Sequence, residues 1–178
     1  MAKIGLKYPV YKDSTGGGVI AKAIQADVAI TMSNVPLYAD DAIAEKDMSF
    51  QSGTLTLGID DLAAGILTKL LGHKKVGATD EIASTVDDVS PFVGVGFYGV
   101  KMVNGVKAYR ALWFPKVQFE EPADSMTTKG ETIAFGTDSI VGTIMPDSTG
   151  AWKLEQTFTT EAAAIAYLNG KAGIVVTP

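Results

Sequence analysis

The string Gly94-Val95-Gly96-Phe97-Tyr98-Gly99 matches the glycine pattern that cradles a dinucleotide pyrophosphate. That chemistry needs a strand before the glycines, a helix after them and an acid about 20 residues further on. Here an apolar, β-prone run and then Asn104-Gly105 follow instead. The glycines therefore read as strand positions where the chain bends or another backbone comes close. His73 is the only histidine. It follows Gly72 and precedes Lys74-Lys75, where basic residues complement the C-terminal end of a helix dipole. No partner for a catalytic triad is discernible around it. Asp40, Asp41, Glu45 and Asp47 offer the hard oxygen donors that calcium takes, but the EF-hand glycine and terminal Glu are absent. The run reads as a solvated or partner-facing acidic segment. A glycosidase also uses two carboxylates, yet nothing in the sequence selects a pair. Phe97, Tyr98, Trp113, Phe114 and Phe119 could stack nucleobases, but Arg110 is the only arginine, and strand spacing points to core packing. The expectation is a chain with no catalytic residue, no cofactor and no metal.

Composition narrows the field further. The 178 residues fit one domain, and there is no cysteine for a disulfide, a thiolate nucleophile or a zinc site. The N-terminus, Met1 to Ser14, holds lysines but no apolar run of signal-peptide length, so synthesis in the cytoplasm without export is expected. No stretch approaches the ~20 apolar residues of a membrane helix. Net charge is −5, the reverse of a free-standing DNA binder. The charge is unevenly placed. Residues 33–61 carry six acids (Asp40, Asp41, Glu45, Asp47, Asp60, Asp61) against Lys46. Residues 1–32 carry Lys3, Lys7, Lys12 and Lys22 against Asp13 and Asp27.

The elements that must position these residues are mostly strands. Ile24 to Thr31 alternates, with Ile24, Ala26, Val28 and Ile30 on one side, which is the period of a half-buried strand. Thr54 to Leu57 alternates likewise. Phe92–Val103 and Val106–Phe119 flank Asn104-Gly105, which supplies the positive φ of a two-residue hairpin turn. In the second strand Tyr109, Ala111, Trp113, Val117 and Phe119 are expected on one face, with Pro115 marking an edge or a bulge. Further strands are expected at Glu131–Phe135, Ser139–Met145 and Trp152–Phe158, the last two joined by a turn at Pro146–Gly150. A helix is expected over 60–72, capped by Asp60-Asp61 and ended by Gly72, with Leu62, Ile66, Leu67 and Leu70 on its apolar face. A second is expected over 159–170, closed by Asn169-Gly170 and anchored by Ile165 and Leu168. The fold class is mainly β with one or two short helices, and residues 1–18 read as an N-terminal arm.

Residues 32–52 fit none of these elements and read as a long protruding loop. Loops beyond ~12–15 residues are usually functional or disordered. Val35, Leu37, Tyr38, Ile43, Met48 and Phe50 argue against permanent disorder. An apolar, acidic loop that leaves its domain needs something to bury against.

Taken together, the chain resembles the major tail protein family of long-tailed, non-contractile phages of Gram-positive bacteria. The matching pieces are Ile20-Ala21-Lys22-Ala23-Ile24, Pro36-Leu37-Tyr38-Ala39-Asp40-Asp41 with Ala44-Glu45 and Asp47, and Gly53-Thr54-Leu55-Thr56-Leu57 before Asp60-Asp61-Leu62. Leu70-Leu71-Gly72, Asn104-Gly105 with Tyr109-Arg110-Ala111-Leu112-Trp113, and Thr128-Lys129-Gly130-Glu131 continue the series to about residue 170. The resemblance implies a tail-tube β-sandwich or barrel with a flanking helix. It also implies six-membered rings stacked into a virion tube through which DNA passes without specific binding. The partners it implies are other copies of the chain, a tape-measure protein, a tail terminator and baseplate or distal tail proteins, with no membrane. By position, 32–52 matches the loop that reaches a neighbouring ring in that fold. Surplus acid lining such a channel would repel DNA phosphates.

The charge map suggests how rings would register. Val35, Pro36, Leu37, Tyr38, Asp40, Asp41, Ile43, Glu45, Asp47 and Phe50 are the expected inter-ring contacts, and Lys3, Lys7, Lys12 and Lys22 the expected seat. Two alternatives remain open: the inner tube of a contractile tail or tail-like delivery device, and a monomeric β-barrel that binds a small apolar ligand.

Overall fold

The computed structural model describes residues 2–39, 42–60, 62–79, 81–103, 105–123 and 138–175, and side chains within these except at 2–4, 35–39 and 42–47. The expected strand at Glu131–Phe135 lies outside the described residues, as do Asp40, Asp41, Asp61 and Asn104.

The chain is mainly β and antiparallel, with two helices among the described residues. The described residues form twelve strands: β1 (Ala2–Lys12), β2 (Gly17–Val19), β3 (Ala23–Met32), β4 (Val35–Ala39), β5 (Ala42–Asp47) and β6 (Phe50–Ile59) precede helix α1 (Ala64–Leu71). Then come β7 (Lys74–Lys75), β8 (Ile82–Ala83), β9 (Phe92–Val103), β10 (Val106–Phe119), β11 (Asp138–Ile144), β12 (Leu154–Phe158) and helix α2 (Glu161–Ala172). One eight-stranded sheet runs β2-β1-β9-β10-β11-β6-β3, with β12 added alongside the first half of β10. Tyr11 and Ile20 from one end of this path pack in the same cluster as Leu55 and Leu57 from the other. The sheet is therefore rolled around its own apolar face as an open barrel.

Two cores result. Inside the roll, Val93, Val95, Phe97, Phe114, Val117 and Phe119 pack with Leu70 and Leu71 of α1. On the outer face, Val10, Tyr98, Ala111 and Trp113 pack with Ala164, Leu168 and Ala172 of α2. Complete burial of one such large side chain is worth roughly 1.5–3 kcal/mol.

The β9–β10 hairpin forms as expected, with Val103 opposite Val106 and Gly105 at φ +79°. The expectation of one face from Tyr109 to Phe119 is corrected by a bulge. One extra residue sits in β10 between Phe114 and Val117, at Pro115. Side-chain period is two, so the insertion flips everything beyond it. Tyr109, Ala111 and Trp113 thus face α2, whereas Val117 and Phe119 face the inside of the roll.

Three other expectations change. Most of the segment 1–18 is sheet rather than an arm, since β1 pairs along β9 and turns back as β2. Asp60 does not cap α1. It accepts from the backbone N–H of Lys22 at 2.9 Å, joining the ends of β3 and β6, and the helix starts at N-cap Ala63 without a side-chain cap. α2 runs through Asn169-Gly170 to C-cap Gly173. The Asn169 side chain is buried and accepts from Tyr8 Oη at 2.9 Å, while its backbone C=O accepts from the N–H of Gly173, where the left-handed closing residue falls. Thr160 caps the other end, accepting from Ala163 N–H at 3.3 Å.

The described part of residues 32–52 is mostly strand rather than loop. Met32 pairs with Phe50, Ser33 N–H donates to Ser49 C=O, and Val35 then pairs with Asp47. After a one-residue bulge in β6 between the Thr31–Ser52 and Met32–Phe50 pairs, one register runs from Met32–Phe50 into β4–β5 as far as Leu37–Glu45. The segment is the far half of a long two-stranded ribbon.

Candidate functional site

The ribbon is the first feature that asks for a partner. β11 accompanies β6 only as far as Gly53, which lies opposite Ile30. Beyond that point β3 and β6, and then β4 and β5, pair only with one another among the described residues. At about 3.3 Å per residue, Ile30 to Ala39 has a contour of up to about 30 Å. An isolated two-stranded hairpin is marginally stable in water. The base of the ribbon is secured by Phe50, whose ring stacks on Trp152 at 4.7 Å.

β3 supplies the second feature. It is the last strand of the sheet path, so one edge of its ten residues has no ladder partner among the described strands. Its apolar side faces an open cleft of about 620 Å³ against β9 and β10. Ile24 and Val28 are therefore 53% and 36% exposed although they belong to the expected buried face. Phe97, Leu112, Phe114 and Trp152 line the opposite side. Lys101, Arg110 and Lys153 supply the cations of the cleft. Arg110 and Lys153 share one carboxylate, Glu155, and the Arg110 bond chiefly holds Glu155 below the usual carboxylate range.

The sequence-derived contact residues divide. Val35, Pro36, Leu37, Tyr38, Ile43, Glu45 and Asp47 lie on the paired strands β4 and β5, where a loop was expected, and Phe50 is at their base. Lys3, Lys7 and Lys12 lie on β1, and Lys22 precedes β3. Lys7 and Lys22 flank a shallower cleft of about 320 Å³. Each has a carboxylate nearby, Glu161 at 3.3 Å and Asp60 at 4.0 Å. Lys12 lies beyond them along β1, opposite Gly17 and Gly94.

His73 has partners that sequence could not show. Its Nδ1 lies 2.9 Å from Asp88 Oδ2 and its Nε2 lies 2.8 Å from Glu121 Oε2, with the ring side chain only 9% exposed. The Asp88 bond, then Glu121, raises the His73 pKa against the opposing effect of burial. Both ring nitrogens are thus engaged by carboxylates, which makes His73 a staple rather than a base free to take a substrate proton. Asp88 also accepts from Thr85, and its pKa falls to about 2, first through His73. No regular spacing links residues 73, 88 and 121, so no local pattern announces the cluster.

The glycine string is explained by packing. A Cβ at Gly94 would lie 2.5 Å from the Trp113 ring, and one at Gly96 would meet both that ring at 2.5 Å and Leu168 at 2.9 Å. The closest approach is by side chains, and at Gly96 the backbone carbonyl oxygen of Leu112 comes within 3.0 Å as well. Comparison with known proteins finds no family model that matches this chain and no match among curated proteins. Among the described residues there is no His/Cys/Asp/Glu group suited to a metal ion and no helix long and apolar enough to cross a membrane.

Proposed function

We propose that this chain is a structural subunit that assembles with copies of itself into stacked rings, the tail tube of a long-tailed phage, and performs no catalysis. The sequence resemblance supplies the identity of the particle. The observation that carries self-assembly is the two-stranded ribbon running past Gly53 with no third strand among the described residues. Unpaired edges are templates for another chain, and natural proteins usually blunt them. Closure into a ring by rotational symmetry satisfies every copy at once. Rings, rather than open aggregates, are therefore the expected product. In this reading the tape-measure protein occupies the channel before DNA does, and the terminator and baseplate proteins close the two ends.

The test is assembly itself. Purified protein, concentrated across a range of salt, is followed by sedimentation velocity and negative-stain microscopy. Rings or tubes of uniform diameter support the reading, and a monomer at every concentration rejects it. Native particles without a sheath separate it from the contractile alternative.

The 620 Å³ cleft favours a second reading, a monomeric barrel that binds a small apolar ligand. It leaves the acidic ribbon without a role. A fixed monomer that retains a co-purified apolar compound would favour it.

A further inference from the structure

Building on the self-assembly reading, we infer that the cleft between β3 and β9–β10 is the seat for the acidic β4–β5 hairpin of a second copy. Three observations converge. The first is charge. Residues 35–47 hold Asp40, Asp41, Glu45 and Asp47 against Lys46. The cleft holds Lys101, Arg110 and Lys153. Their described acidic company is Asp27 in the cleft and Glu155, which Arg110 and Lys153 share. Lys101 donates to the Thr157 hydroxyl at 3.4 Å. A local cationic excess stands out in a chain of net charge −5. Opposed potentials of this kind steer an encounter and fix its register.

The second is apolar complementarity. Ile24 and Val28 are exposed on a strand whose other inward residues, Ala26 and Ile30, pack on the core. The hairpin brings Val35, Leu37, Tyr38 and Ile43 in its sequence. An open apolar surface rimmed by polar groups is the usual form of an association site.

The third is geometry, which excludes the chain's own hairpin. β3 forms one wall of the cleft and, past a one-residue bulge in β6 between the Thr31–Ser52 and Met32–Phe50 pairs, its ladder continues through Ser33–Ser49 into β4. The hairpin therefore continues past the end of the wall. To fold back it would have to break that ladder, so the occupant is another copy. The N-terminal lysines are the weaker seat, because Lys7 and Lys22, likewise partnered by Glu161 and Asp60, flank only the smaller, more open cleft of about 320 Å³.

The experiment uses the full chain, which has no native cysteine. Leu37→Cys and Val28→Cys proteins are mixed under assembly conditions and oxidised. A disulfide-linked heterodimer is expected from the mixture, and at least about tenfold less when Val86→Cys, fully exposed and outside the cleft, replaces Val28→Cys. In parallel, Lys101→Glu with Lys153→Glu is expected to lower ring yield by about tenfold or more, and Asp40→Lys with Asp41→Lys added to it is expected to recover part of the loss. Circular dichroism confirms that each variant folds, and Lys101→Gln with Lys153→Gln provides a milder pair. Wild-type rings with unaffected cleft variants and equal cross-linking at Val86 would overturn the seat and leave the assembly reading intact. So would rings abolished by Lys7→Glu with Lys22→Glu but not by the cleft changes. A wild-type chain that never assembles would overturn both.

Discussion

Phe50 and Trp152 stack face to face, with ring centroids 4.7 Å apart and planes 9° from parallel. The pair joins the base of the ribbon to the segment leading into β12, and Trp152 also lines the cleft. One aromatic contact thus couples the two surfaces assigned to assembly. Removing the indole by Trp152→Ala should cost about 2 kcal/mol, from lost burial together with the stacking term. Hydrogen exchange should rise at Ser49–Ser52 more than in β9. Unchanged exchange along the ribbon base would show that the stack does not anchor it.

Gly96 lies under the Trp113 ring and against Leu168 of α2. Gly96→Ala should destabilise the fold by about 1–3 kcal/mol, because the new methyl group forces the indole or the helix outward. Gly170→Ala is the control, since nothing lies within 4 Å of its added carbon. Thermal melts of the two variants separate packing from a general intolerance of alanine.

Stability should fall on the alkaline side through His73. Its folded pKa is raised, chiefly by Asp88, above the ordinary value of 6.5. Its contribution is therefore complete below about 6.5 and lost as pH rises through the folded value. Asp88 has the opposite sign: its pKa is depressed from 3.8 to about 2, so its contribution holds above 3.8 and fades as pH falls toward 2. Urea midpoints for the wild type should be highest between the two limits. His73→Gln should flatten the alkaline decline, and a variant that loses stability from pH 6 to 9 just as the wild type does would assign that decline to another group.

Asp40→Lys with Asp41→Lys reverses charge at the two residues that separate β4 and β5 in sequence. The monomer's melting temperature should stay within about 2 °C, since surface changes usually cost less than ~0.5 kcal/mol. Rings or tubes should be shortened or lost. Tubes of wild-type length by negative-stain microscopy would remove the acidic hairpin from the assembly contact.

The sequence alone determined the local elements whose signals are short-range. Alternation placed β3, and Asn104-Gly105 placed the β9–β10 hairpin, because side-chain period and turn chemistry are properties of adjacent residues. Gly72 marked the end of α1, where φ is +78°. It also singled out 32–52 as apolar, acidic and in need of burial. Tertiary structure decided what depends on residues far apart in the chain. Pro115 signals an edge or a bulge, and only the ladder with β9 decides for the bulge and shows that it reverses Val117 and Phe119. The cap expected of Asp60 is lost because the Lys22 N–H, 38 residues away, takes its side chain, and α2 runs past Asn169 to Gly173, with the Asn169 side chain buried against Tyr8 from 161 residues away. The staple at His73 and the cleft beneath β3 arise only when the sheet rolls, since no sequence spacing encodes which distant groups a curved sheet brings face to face.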